Sequence, residues 1–60
     1  MIECKVIKTG TTSDDRNWSL IQREESGFLM SAIVNPTEPH EVGQEVKLPK
    51  AVADAVKWQA

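Results

Sequence analysis

The side chains that could carry out chemistry are few in this chain, and they lie far apart in the sequence. There is one histidine, His40, one cysteine, Cys4, and no tyrosine. Catalysis needs a positioned base, nucleophile or metal, and a lone imidazole and a lone thiol on different segments do not provide one. The sequence therefore predicts a protein that is not an enzyme and that binds no metal or other cofactor.

Neighbouring carboxylates occur twice, as Asp14-Asp15 and Glu24-Glu25. Adjacent residues on a loop or turn point apart rather than towards one substrate, so we expect all four to be solvated. The glycines Gly10, Gly27 and Gly43 are isolated, and none belongs to a glycine-rich phosphate-binding loop.

The length of 60 residues predicts a single small domain, residues 1–60. A chain of this size buries only about 60% of its unfolded surface and is marginally stable on its own. Small domains are usually supported by disulfides, metals or oligomerisation, and a single cysteine excludes an internal disulfide. The sequence therefore predicts self-association, most simply as a homodimer.

The start of the chain predicts a cytoplasmic protein. Met1 leads at once into a strand-like run, without the basic segment and long apolar stretch of a signal peptide. The longest apolar runs span a few residues, whereas about 20 are needed to cross a bilayer. We therefore expect no association with a membrane.

Two β-prone segments, residues 17–23 and 28–34, are joined by Glu24-Glu25-Ser26-Gly27. A glycine at the end of a short polar connection supplies the positive φ of a tight turn, and the flanking side chains suit a pleated surface. The pattern predicts a β-hairpin. Residues 28–34 are apolar on both faces, which is typical of a central strand or of a strand in a barrel.

The remaining segments complete the order β-β-β-β-α. Residues 1–9 alternate as a strand, residues 10–16 are polar and form a loop, and Pro36 and Pro39 end the third strand. Residues 42–48 predict a short fourth strand. Pro49 suits a helix start, which predicts a helix over residues 50–58. The expected sheet core comprises Ile2, Cys4, Val6, Leu20, Met30, Ala32, Val46 and Leu48, and the expected helix stripe Val52, Ala55 and Val56.

The charge distribution bears on nucleic-acid binding. Seven basic and nine acidic residues give a net charge of −2, and four of the seven basic residues lie in the first half. Aromatic rings beside Lys or Arg on a sheet can stack nucleobases while the cations neutralise phosphates. The candidate nucleic-acid-binding residues are therefore Lys8, Arg16, Trp18 and Arg23. For Trp18 two roles stay open, core packing and base stacking.

Residues 10–20, which read Gly-Thr-Thr-Ser-Asp-Asp-Arg-Asn-Trp-Ser-Leu after a strand that opens at Met1-Ile2, resemble the start of the small single-stranded DNA-binding proteins of filamentous phages. The resemblance covers about the first third of the chain. It implies an OB-like barrel, usually dimeric, that coats replicating single strands. Carried over to this sequence, it makes Arg16 and Trp18 binding residues, whereas Lys8 and Arg23 follow from charge alone.

The predicted fold is mainly β with one C-terminal helix, either a small curved antiparallel sheet or an OB-like or SH3-like barrel. The predicted function is non-catalytic binding of single-stranded DNA through the curved sheet. The alternative is a small phage-type or mobile-element-type regulator or inhibitor that binds a host protein through a sheet edge or through its acidic loop. Glu38, Glu41 and Glu45, which crowd the loop and the start of the fourth strand, favour this alternative.

Overall fold

A computed structural model describes all residues, 1–60, as one antiparallel sheet followed by a short helix. The elements are β1 (Ile2–Thr11), β2 (Asn17–Glu25), β3 (Phe28–Val34), β4 (Glu45–Leu48) and α1 (Lys50–Ala55). The strands are arranged in the order β3-β2-β1-β4. The predicted class and element order are confirmed, and the curved sheet does not close into a barrel.

The β2–β3 hairpin turns through two residues, Ser26 and Gly27, whose φ angles are 52° and 83°. Positive φ at both central residues defines the tight turn whose twist matches that of the flanking strands. Because the turn takes only two residues, β2 extends to Glu25, two residues beyond its predicted end. The turn sets the register in which Glu25 pairs with Phe28 and Ile21 with Ala32.

A β-bulge in β1 decides which residues face the core. Val6 pairs with Ile21 and Lys8 pairs with Leu20, so Ile7 is an extra residue between two consecutive pairs. Side chains alternate between the faces of a strand, and one inserted residue reverses the alternation beyond it. Val6 therefore points to the inner, core-forming face of the sheet, and Lys8 points to the opposite, outer face.

The core is small and lies on the inner face. Cys4, Val6 and Ile21 form its buried centre, surrounded by the half-buried residues Ile2, Val34, Val46, Leu48 and Trp58. Ala32, opposite Ile21, is also buried. The expectation that Leu20 lies in the core was wrong. Ile21 occupies that face, and Leu20 pairs with Lys8 and Ile33 on the outer face.

The helix is shorter than predicted, and the face that it buries is not the predicted one. It ends at Ala55, because Val56 adopts an extended conformation with φ −78° and ψ 141°. Ala53 is its buried residue, whereas Val52 and Ala55 of the predicted stripe are exposed. Trp58 folds back so that its Nε1–H donates to the carbonyl oxygen of Ala53 at 2.7 Å. The structure contains no helix that is long and apolar enough to cross a membrane.

The last residues return to the sheet. The backbone N–H and C=O groups of Gln59 bond those of Ser31, both at 2.8 Å, and form a single antiparallel bridge on the free side of β3. The segment after α1 thus returns to the free edge of β3, but a single bridge does not close the sheet into a barrel. β4 is likewise shorter than predicted, and Val42 is exposed before its start.

Candidate nucleic-acid interface

The outer face of the sheet carries two of the four predicted binding residues, Lys8 and Trp18. It is defined here by seven outward-pointing side chains of the three longest strands, namely Lys5, Lys8, Trp18, Leu20, Gln22, Ser31 and Ile33. Glu3, Glu24 and Leu29 point the same way towards the end of the sheet at the β2–β3 turn and are not included. Lys5, Lys8 and Ile33 are exposed. The core and Trp58 pack on the inner face, so this surface combines cations, an aromatic ring and aliphatic side chains.

Trp18 is positioned by Gly10, its partner on β1. The indole lies across the glycine so closely that a Cβ atom at residue 10 would be 2.5 Å from Cζ2 of the ring and 2.7 Å from Nε1. Trp18 is half-buried and lies outside the core cluster. It therefore packs against its own sheet and also keeps part of the indole in solvent.

Lys8 is a neighbour of Trp18 on the same face. It lies two positions before Gly10 on β1 and opposite Leu20 on β2. Diagonal neighbours on a sheet have their Cα atoms about 7 to 8 Å apart, which long side chains readily span. The ammonium of Lys8 forms no ion pair, since both ion pairs in the protein belong to arginines. Lys8 is thus an uncompensated cation beside an aromatic ring.

Lys5 is a second lysine on the outer face, which the sequence did not single out. It lies between Gln22 on β2 and Glu45 on β4. Leu20 and Ile33 add apolar surface beside Trp18. The sequence itself indicates the position of Leu20, because a residue two positions after Trp18 must share its face if both belong to one regular strand.

Arg16 lies on the loop between β1 and β2, at the end where Trp18 begins to pair. Its Nε is 3.1 Å from a carboxylate oxygen of Asp14, and both side chains are largely exposed. The Thr12 hydroxyl accepts a hydrogen bond from the Arg16 N–H at 3.1 Å. The Thr12 N–H donates to the Arg16 carbonyl at 2.8 Å. The loop is therefore closed on itself, and Asp14 partly neutralises the guanidinium.

Arg23 lies on the other side of the sheet from Lys8 and Trp18. Its guanidinium carbon is 4.8 Å from the centre of the Trp58 ring, and the group pairs with Glu25. The side chain is only 11% exposed, and its buried Nε has no hydrogen-bond partner. An odd separation of five residues from Trp18 already places Arg23 on the opposite face. The structure therefore does not bring it together with the other candidates.

His40 and Ser19 form the other notable polar contact. His40 Nδ1 is 2.9 Å from the Ser19 hydroxyl oxygen. Although a serine beside a histidine resembles part of a hydrolytic site, Ser19 is completely buried on the inner face. The contact ties the loop between β3 and β4 to the sheet.

The thiol of Cys4 lies in the buried centre of the core. Burial raises the pKa of its thiol, and the nearby positive charge of Arg23 partly opposes that effect. A raised thiol pKa favours the neutral, unreactive form. Cys4 thus behaves as a small apolar residue of the core.

No cluster of three or more His, Cys, Asp or Glu side chains is arranged to hold a metal ion. Comparison of the chain with known protein families, with curated proteins and with solved structures finds no match. The resemblance of residues 10–20 to filamentous-phage proteins consequently depends on those residues alone.

Proposed function

We propose that the protein binds single-stranded nucleic acid, chiefly DNA, on the outer face of its sheet. The observation that carries the proposal is the adjacency of Lys8 and Trp18, an unpaired ammonium beside a partly exposed indole that packs on Gly10. Leu20 and Ile33 extend this surface with apolar contacts. Such a protein would act without catalysis in the cytoplasm, in the manner of the single-strand-coating proteins of filamentous phages.

The chemistry of the face suits single strands better than duplexes. A base can stack on an aromatic side chain only when it is not already stacked and paired, and each stacked base contributes about 1 to 3 kcal/mol. The cations required by the phosphates are Lys5, Lys8 and, once it leaves Asp14, Arg16. Three phosphate contacts predict a slope of about −2 in a plot of log K against log salt concentration, because single strands release about 0.7 ion per contact.

The test is fluorescence anisotropy of a labelled oligothymidine of about 20 nucleotides, titrated with protein at several salt concentrations. Trp18→Ala should weaken binding about 5-fold or more and leave the salt slope unchanged, because it removes stacking. Lys8→Gln should lower the magnitude of the slope by about 0.7, because it removes one phosphate contact. Circular dichroism verifies that each variant is folded.

Lys50→Gln is the matched control, since Lys50 is an exposed lysine at the start of α1 and not on the sheet. It changes the net charge as Lys8→Gln does but should leave the slope unchanged. If Lys8→Gln and Lys50→Gln change the salt slope equally, the binding is non-specific charge attraction and not contact with the outer face. Absence of binding at low salt would remove the proposed function altogether.

A homodimer is part of the proposal. Only five apolar side chains are buried in the monomer, whereas Met1, Phe28 and Leu29 are each more than half exposed. Burial of these side chains between two copies would supply the support that a domain of this size lacks. Two outer faces on one dimer would also bind one strand more tightly than a single face does.

A further inference from the structure

The sheet is open beside β3, just beyond the bridge between Ser31 and Gln59. In a continuing antiparallel ladder the next bonded pair would be Ile33 with Lys57, and neither of its hydrogen bonds forms. The two segments diverge instead. A groove of about 580 Å³ separates residues 33–35 from residues 55–57.

On the β3 side of this groove, backbone N–H and C=O groups have no hydrogen-bond partner. Ser31 uses its N–H and C=O towards Gln59, and residues two apart on a strand bond to the same side. The N–H and C=O of Ile33 therefore point away from β2 and into the groove, where no protein group meets them. β3 has no charged residue, whereas edge strands commonly carry lysines that prevent pairing with another strand.

The side chains of the groove define what fits there. Leu20, Ala32, Val34 and Val56 line it with apolar surface, and Lys57 is its one charged residue, with no carboxylate among the lining residues. The groove is blocked at one end, because Gln59 already occupies the edge at Ser31. An added strand that bonds Ile33 therefore cannot stay paired with β3 past Gln59. A chain end fits this site without a bend, whereas an internal segment of a partner protein would have to turn away from the sheet there.

We propose that this groove binds the C-terminal end of a partner protein as an added β-strand. The peptide runs antiparallel to β3, bonds the backbone of Ile33, places alternate apolar side chains, that of its last residue included, against Ala32, Val34 and Val56, and directs its terminal carboxylate to Lys57. The antiparallel direction puts the C-terminus at the blocked end of the groove. Strand addition of this kind derives affinity from main-chain hydrogen bonds and specificity from pockets for alternate side chains.

The test uses two N-acetylated hexapeptides of alternating threonine and valine that end in valine, one with a free carboxylate and one with a C-terminal amide. Each is titrated into the isotopically labelled protein and followed by NMR. The carboxylate peptide should shift the amide signals of Ile33, Asn35 and Lys57 and slow hydrogen exchange at Ile33. Removal of the peptide charge should weaken binding about threefold, the range of a partly exposed ion pair.

Lys57→Gln should abolish the preference for the carboxylate over the amide, because the charge that the carboxylate contacts is gone. Lys50→Gln, on the exposed start of α1, is the matched control and should retain the preference. The proposal is overturned if both peptides bind the wild-type protein equally, if neither shifts these signals, or if the amides of Ile33 and Lys57 are already protected in the free protein. Protection that rises with protein concentration would identify a second copy as the occupant.

Discussion

The indole of Trp18 lies across Gly10 at the point where the side chain of any other residue would begin. A glycine inside a strand loses more backbone entropy than alanine and packs nothing, which costs about 0.5 to 1 kcal/mol. Here the neighbouring ring covers the vacant position. The same contact holds the indole on the outer face, so one cross-strand pair serves both the sheet and the proposed stacking site.

Gly10→Ala should therefore destabilise the protein by about 1 to 3 kcal/mol, because the new methyl group collides with the ring and forces it aside. Urea denaturation measures the change. In a Trp18→Ala background the collision disappears, and Gly10→Ala should then be neutral or stabilising by about 0.5 to 1 kcal/mol. An equal loss in both backgrounds would show that the ring does not rest on Gly10.

Local chemistry explains which parts of the fold could be predicted from the sequence. Ser26-Gly27 between two β-prone segments specified the hairpin, and the alternation of Cys4 and Val6 specified the buried face of β1. The assignment failed at Leu20-Ile21, where two adjacent apolar residues make either face acceptable. Only the pairing of Ile21 with Val6 decides between them.

Contacts between distant residues explain what could not be predicted. The bulge at Ile7 has no sequence signal of its own, yet it places Lys8 on the face of Trp18. The burial of Ala53 depends on Trp58 folding back over the helix. The bridge from Gln59 to Ser31 joins residues that are far apart in the sequence. For the candidate site, the alternation of side chains along β2 could have placed Arg23 and Trp18 on opposite faces of the sheet. The bulge that brings Lys8 to the face of Trp18 could not be predicted.

Arg23 should act on stability rather than on nucleic-acid binding, because its guanidinium lies over Trp58 and its Nε is buried without a partner. Arg23→Met retains the volume and removes the unsatisfied donor, so its free energy of unfolding should stay within about 1 kcal/mol of wild type. Arg23→Ala also loses the packing and should cost about 1 to 3 kcal/mol. A lower salt slope for Arg23→Met in oligothymidine binding would instead assign this residue to the interface.

Cys4 should make the protein less stable at alkaline pH. Its pKa is raised in the folded state by burial, so the unfolded chain loses the thiol proton first as the pH rises. The stability contribution is complete below the unfolded pKa of about 8.5 and is lost as the pH rises through the folded pKa. Denaturation between about pH 7.5 and 9.5 should show a fall that Cys4→Ala lacks. Equal slopes in the two proteins would contradict this account.

Self-association should depend on the apolar end of the β2–β3 hairpin. Phe28 and Leu29 are 70% and 58% exposed, and the melting temperature should rise with protein concentration if they are buried in a dimer. Sedimentation of the wild-type protein at micromolar concentration should give a dimer, and Leu29→Lys should shift it to the monomer. Val42→Lys changes an equally exposed apolar residue on a loop and should leave the dimer intact. A monomeric wild-type protein, with a melting temperature that is constant on dilution, would contradict the prediction.

Asp14 should restrain the binding of single strands, because it holds the guanidinium of Arg16 at 3.1 Å beside the proposed interface. Asp14→Asn keeps an oxygen that can accept the hydrogen bond from the Thr12 hydroxyl, so the loop should retain its shape while Arg16 becomes free to contact a phosphate. Affinity for oligothymidine should rise about two- to fivefold, the range of an exposed ion pair, because Arg16 no longer has to leave Asp14 to contact a phosphate. The number of phosphate contacts is unchanged, so the salt slope should stay near about −2. Asp54→Asn on the exposed side of α1 makes the same change in net charge and serves as the control. If Asp54→Asn raises affinity equally, net charge alone accounts for the effect and Arg16 has no specific place in the interface.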